Sequence, residues 1–186
     1  MLSQFTREHE KPVLGDLFKF QKDVYPVGRL DSDSEGLLIL TNDKKLNHQL
    51  LNPEFAHKRT YLAQVDGAIT EEAIDELKSG VTIRINNADY FTKPADAEII
   101  SYPKNISERT PPIRFRKSIP TSWIKLTLKE GKNRQVRKMT AVVNFPTLRL
   151  IRVAIENLEL GELKQGDVKE VFEKTIYEKL KIKKAE

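Results

Sequence analysis

Cysteine is absent from the 186 residues. That excludes disulfides, thiolate metal sites and a cysteine nucleophile, and it fits a cytoplasmic protein. Histidine is scarce. His9, His48 and His57 stand at spacings that match no metal motif, so each reads as a surface residue. No apolar run reaches the length of a membrane span, and no signal-like stretch opens the chain. Membrane proteins and disulfide scaffolds are thereby set aside. At 39% hydrophobic and 32% charged residues, the chain has the composition of a globular domain rich in charge. Its length suits one compact catalytic-size domain over 1–186, built in two lobes, with 179–186 as a frayed charged tail.

The formal net charge of +5 conceals an asymmetry. Residues 104–152 hold thirteen Lys or Arg against Glu108 and Glu130, a local +11, and the rest of the chain carries −6. Positive charge gathered on an otherwise acidic chain is the footprint of a polyanion partner.

Gly28-Arg29-Leu30-Asp31-Ser32-Asp33-Ser34-Glu35-Gly36 is too polar and tight for a core element, and Leu37 to Leu40 then reads as a buried strand. Asp31, Asp33 and Glu35 before Gly36 copy the opening of a calcium loop. The copy fails at its twelfth position, which is Asn42 instead of glutamate. Two readings stay open on spacing alone: an Asx-type turn whose carboxylates cap backbone N–H groups, and a rigid mount for a catalytic carboxylate.

Further along, Asn42-Asp43 can cap a helix over about 44–51, ended by Asn52-Pro53. Residues 57–67 alternate like a strand containing Arg59 and Tyr61. Thr70 to Gly80 has an N-cap, acids in its first turn and a C-terminal glycine, which predicts a helix. Residues 81–85, 97–101 and 123–128 read as strands. Between the last two, Pro111, Pro112 and Pro120 exclude regular structure, while Arg114, Arg116 and Lys117 offer an RNA-facing loop. Asn133 can cap a helix to about Val143, with Val136, Met139 and Val143 on one face. Lys132 and Arg134 then stand by its N-terminus, where free N–H groups favour phosphate. Residues 145–153 read as a buried strand bearing Arg149 and Arg152.

Three blocks in this order resemble the RsuA-type pseudouridine synthases: Gly-Arg-Leu-Asp with Asp-Ser-Glu-Gly-Leu-Leu-Ile-Leu-Thr-Asn-Asp, the basic residue two before Tyr61, and Gly-Lys-Asn-Arg-Gln-Val-Arg. The runs Arg-Lys-Ser-Ile-Pro-Thr-Ser-Trp and Phe-Pro-Thr-Leu-Arg-Leu-Ile-Arg are most similar to the RluE branch, which lacks a small N-terminal S4-type RNA-binding domain. The resemblance implies an α+β fold, a mixed and mostly antiparallel sheet with a central cleft. It implies isomerisation of a uridine in large-subunit (23S) ribosomal RNA, by a monomer without a membrane or obligate protein partner. The reaction consumes nothing, so no metal or cofactor is implied. Asp31 maps onto the catalytic carboxylate, Arg137 onto its basic partner and Tyr61 onto the residue against the base. Arg29 would take the vacated base position or hold a phosphate. Arg59, Lys132, Asn133, Arg134, Lys138, Arg149 and Arg152 would join the 114–117 loop in binding RNA. Relatives carry an Asn-Lys-Pro strand just upstream of Leu2-Ser3-Gln4-Phe5-Thr6, and Met1 falls where that strand would end. A non-catalytic ribosomal-RNA-binding assembly factor on the same fold predicts the same basic surface. A DNA binder would want a helix freer than 133–143 to read bases.

Overall fold

A computed structural model describes residues 1–113 and 120–183. Arg114, Arg116 and Lys117 lie outside the described residues. In chain order the elements are β1 (Tyr25–Pro26), β2 (Glu35–Gly36), β3 (Leu40–Thr41), α1 (Lys44–Leu51), β4 (Arg59–Asp66), α2 (Glu71–Ser79), β5 (Thr82–Ile85), β6 (Ala88–Phe91), β7 (Asp96–Ile100), β8 (Thr121–Leu128), α3 (Gln135–Val142), β9 (Thr147–Ile155), β10 (Leu158–Glu159) and α4 (Glu173–Lys179). The main sheet runs β10-β9-β4-β8-β7 with every neighbour antiparallel, and β2 adds to β9 in parallel. This is the expected α+β architecture with a mixed, mostly antiparallel sheet.

Strand alternation sorts the side chains into two layers. Ala63, Val65, Ile124, Leu126 and Leu150 face α2 and α3, which bury Ile74, Leu77, Val136 and Met139 against them. Leu62, Trp123 and Ile151 pack on the opposite face. A separate core joins Leu46 and Leu50 of α1 to Leu37, Ile39, Tyr177 and Leu180. Local chemistry places the helices. The Asp43 carboxylate accepts from Lys45 N at 2.8 Å and Leu46 N at 3.1 Å, and the Thr70 hydroxyl accepts from Ala73 N at 3.3 Å.

Four local expectations change. Leu37 to Leu40 is no continuous strand. Its amides and carbonyls divide between two partners, Leu37 N donating to Arg152 O and Ile39 O accepting from Val27 N, both at 2.8 Å. Asn133 is not the cap of α3. Arg134 occupies that position in the left-handed region, at φ 52°, without a side-chain cap. The tail is anchored at least to Ile182, whose N–H donates to Tyr177 O at 3.0 Å and whose side chain is buried. His57 is buried rather than exposed, with Nδ1 3.3 Å from Glu156. β6 was not foreseen. The Asn86-Asn87 turn, with φ of 48° and 65°, closes a β5–β6 hairpin as a two-residue turn with positive φ at both positions does.

Candidate active site

The polar turn between β1 and β2 stands over the α3-facing side of the sheet. It meets the end of β4, β9, the 130–134 loop and the start of α3 around a cavity of about 330 Å³. Arg29, Asp31, Ser34, Arg59, Tyr61, Lys132, Asn133, Arg134 and Arg152 all contribute to its wall, so the structure brings together residues drawn from all three sequence blocks. Tyr61 follows a register shift in the β4–β9 ladder, a bulge that re-aims a side chain next to the cavity.

The turn is held at its backbone. Ser34 N donates to Asp31 O at 2.9 Å. Ser3 clamps Leu30 twice, donating its hydroxyl to Leu30 O at 3.2 Å and accepting from Leu30 N at 3.1 Å. Sequence reading missed Ser3, since a serine carries no sign of a partner 27 residues away. Fixed in this way, the three alternating acids take three separate duties. Glu35 accepts two hydrogen bonds from Arg149, at 3.0 and 2.7 Å. Asp33 accepts two from Arg134, at 3.0 and 2.9 Å. Asp31 stays at the cavity wall with its side chain one-third exposed and Arg134 at 3.7 Å.

Arg137 therefore does not make the expected direct pair with Asp31. Its Nη2 donates to Asp33 O at 2.8 Å, Nη1 to Thr147 O at 3.2 Å, and its Nε lies 3.4 Å from the Asp33 carboxylate. Half-buried where α3 meets β9, it ties both elements to the turn. Burial pushes its pKa down while Asp33 opposes that shift. The hydrogen bonds from Arg134 hold Asp33 below the ordinary aspartate range. A carboxylate with a lowered folded pKa stabilises the fold above its unfolded pKa, and that stabilisation is lost as the pH falls through the folded value. We expect Asp33→Asn to cost stability at neutral pH, with the gap to the parent closing below about pH 4 in acid-denaturation curves.

Three arginines expected to bind RNA make bonds within the chain instead of reaching out from its surface. Arg149 is buried and also donates to Ser107 O at 2.8 Å, so it anchors the turn and offers no phosphate contact. Arg152 is buried and bonded to Leu37 O at 2.8 Å. Arg59 donates to Leu50 O at 2.6 Å and His57 O at 3.1 Å, closing the end of α1 onto β4. Glu35 keeps some contact with solvent, so Arg149→Met is expected to cost about 1–3 kcal/mol in urea unfolding while the salt dependence of RNA binding is unchanged. Lys132, Asn133 and Arg134 are exposed at the cavity mouth, and Arg29 is exposed on its wall. Lys138 is half-buried and is not among the wall residues.

The 130–135 loop has an organiser that was also missed. Glu130, buried and on the cavity wall, accepts from the Tyr90 hydroxyl at 2.5 Å, Lys93 N at 3.0 Å and Gln135 Nε2 at 2.5 Å. Gln135 Oε1 in turn accepts from Lys132 N at 2.9 Å, and Lys132 Nζ sits 4.8 Å from the Tyr90 ring centroid. Its bond to Glu130 pushes the Tyr90 phenol up to about 12. The available signal was an isolated acid in a strongly basic segment, since a buried charge must be paired.

Residues 4–142 match the RNA pseudouridylate synthase family. The chain is 48% identical over 170 residues to ribosomal large subunit pseudouridine synthase E of Vibrio parahaemolyticus, covering 91% of this chain and 69% of the relative. Against the enzyme of the same name from Xanthomonas axonopodis pv. citri it is 44% identical over 165 residues, 88% of this chain and 84% of that one. A crystal structure of a pseudouridylate synthase superposes with a TM-score of 0.75 at 26% identity, over 91% of this chain and 65% of the other. Sequence blocks, sheet order and cavity thus agree with one another, and the chain belongs to the RNA pseudouridylate synthase family.

Proposed function

We propose that this chain converts a uridine of large-subunit ribosomal RNA to pseudouridine, with Asp31 as the essential carboxylate. The observation that carries the residue assignment is the division of labour in the turn. Asp33 and Glu35 are each bound bidentately by an arginine, which leaves Asp31 as the acid of the three at the cavity wall. The reaction breaks the C1′–N1 bond of the nucleotide, turns the detached uracil and joins C1′ to C5, whose proton is released while N1 takes one up. The nucleotide must leave its stack, at a cost of about a few kcal/mol that contacts in the cavity offset.

In this reading Arg134, 3.7 Å from Asp31, complements its charge, and Arg137 fixes the turn through Asp33. Tyr61 offers an aromatic face to the base. Arg29, exposed at the rim, fills the space the base leaves or holds a phosphate. Lys132, Asn133 and Arg134 meet the RNA backbone at the mouth, with Lys138 further along α3. The test is to incubate the chain with unmodified large-subunit and small-subunit rRNA transcripts, then map pseudouridine by chemical adduct and reverse-transcription stop. A single stop on the large-subunit transcript is expected. A stop on the small-subunit transcript alone refutes the substrate assignment, and no stop on either refutes the activity.

A further inference from the structure

Two arginines of β9 are buried to the same degree, each 5% exposed, yet their surroundings differ. Arg149 has the Glu35 carboxylate. Arg152 has the carbonyl of Leu37 on Nε, while its Nη2 is buried without a hydrogen-bond partner, and no carboxylate pairs with it among the described residues. A buried charge is costly unless paired, and buried donors left unpaired are rare. Burial pushes the Arg152 pKa down, opposed by the Tyr61 side chain, which also hydrogen-bonds the guanidinium, while Arg59 adds like charge. Tyr61 and the Leu37 carbonyl answer part of the guanidinium, and a further acceptor supplied from outside the chain would complete the arrangement.

The cavity shows where that acceptor enters. Arg152 pairs with Tyr61 across the β9–β4 ladder, so both side chains stand on the face that forms the cavity wall. Exposed Lys132 and Arg134 stand at the mouth, where phosphates arrive. The part of a nucleotide that goes past them to a buried residue beside an aromatic ring is the base. Arginine offers donors only, and uracil offers two carbonyl acceptors.

We infer that Arg152 donates a hydrogen bond to a carbonyl of the target uracil and holds the base during its turn. The inference rests on the proposed activity. Replacing N1 by C5 at the sugar amounts to a half-turn of uracil about its N3···C6 line, and that half-turn exchanges the two carbonyls. A donor fixed in the wall therefore meets a carbonyl both before and after the turn. Cytosine, with an amino group in place of one carbonyl, faces it donor to donor in one of the two orientations.

The test uses the full chain and the mapped transcript. Single-turnover rates are measured at saturating RNA for the parent, Arg152→Met and Arg152→Lys, with RNA affinity across salt concentrations and melting temperature alongside. A folded Arg152→Met is expected to be slower by on the order of 10- to 100-fold, with affinity within about threefold and an unchanged salt slope. Arg152→Lys is expected to recover part of the rate. A Met variant that reacts at the parental rate overturns the inference. So does one that binds more weakly with a salt slope shallower by about one, since that marks a phosphate contact. If Arg152→Met does not fold, the parent is assayed on transcripts carrying 2-thiouridine or 4-thiouridine at the target, because sulfur is the poorer acceptor. Slowing by either substitution supports the contact, and parental rates with both overturn it. A parent inactive on the unsubstituted transcript removes the proposed activity and this inference together, whereas an active parent with an equally active Met variant removes the inference alone.

Discussion

Asp31→Asn is expected to slow single-turnover pseudouridine formation by on the order of 10³-fold or more, while RNA affinity stays within a few-fold of the parent. Asparagine is nearly isosteric, and the turn does not depend on the Asp31 carboxylate. It is closed by Asp31 O accepting from Ser34 N and pinned by Ser3, Asp33 and Glu35. The carboxylate's nearest cation, Arg134, keeps its two bonds to Asp33 after the change. The substitution therefore removes reactive charge and little structure. Affinity is spread over exposed cations that the change leaves alone. A comparable loss of rate and of binding would instead point to a structural role for Asp31.

The second large effect is expected at Gly36, the last residue of the turn, where β2 pairs with Arg152 of β9. Gly36 has φ +106°, and a Cβ built there would lie 2.2 Å from Arg152 O and 2.7 Å from Arg152 N. Both obstacles are backbone of the central strand β9, which cannot yield as a side-chain tip can. Gly36→Ala thus combines an unfavourable φ with a backbone collision in the parallel β2–β9 pairing. The pairing also carries the Leu37 N to Arg152 O bond and aligns Glu35 with Arg149. Either the fold loses on the order of 3–5 kcal/mol, or the turn lifts from β9 and carries Asp31 with it. A shift of about 1 Å at a catalytic group can cost 10²-fold in rate. Urea denaturation separates the two outcomes, and parental stability together with parental rate would contradict the geometry.

Local chemistry was the most legible part of the sequence. Helices α1 and α2 follow from Asp43 and Thr70 as caps and from apolar residues at helical spacing, the signals for each helix lying within a dozen residues. The polar turn was legible because its block is contiguous and long. What stayed hidden depends on partners far along the chain. Asp31, Asp33 and Glu35 look equivalent as alternate acids, and their separate duties arise only when Arg134, Arg137 and Arg149 arrive from roughly a hundred residues away. The basic charge of residues 104–152 pointed to a polyanion, yet Arg149 and Arg152 lie inside the sheet, because β9 alternates its side chains between two covered faces. Leu37 to Leu40 has the composition of a strand, but two different neighbours claim its backbone groups.

The most direct test of the proposed chemistry follows the hydrogen on C5, which must leave when C1′ joins that carbon. A large-subunit rRNA transcript made with [5-³H]uridine is incubated with excess parent chain or Asp31→Asn, and released tritium is counted over time while RNA binding is monitored in the same samples. The expected result is release that plateaus at one equivalent per transcript with the parent and stays at background with Asp31→Asn, both proteins binding alike. Tight binding by the parent without release would contradict the catalytic reading and favour an assembly factor, and equal release by both proteins would remove Asp31 from the chemistry.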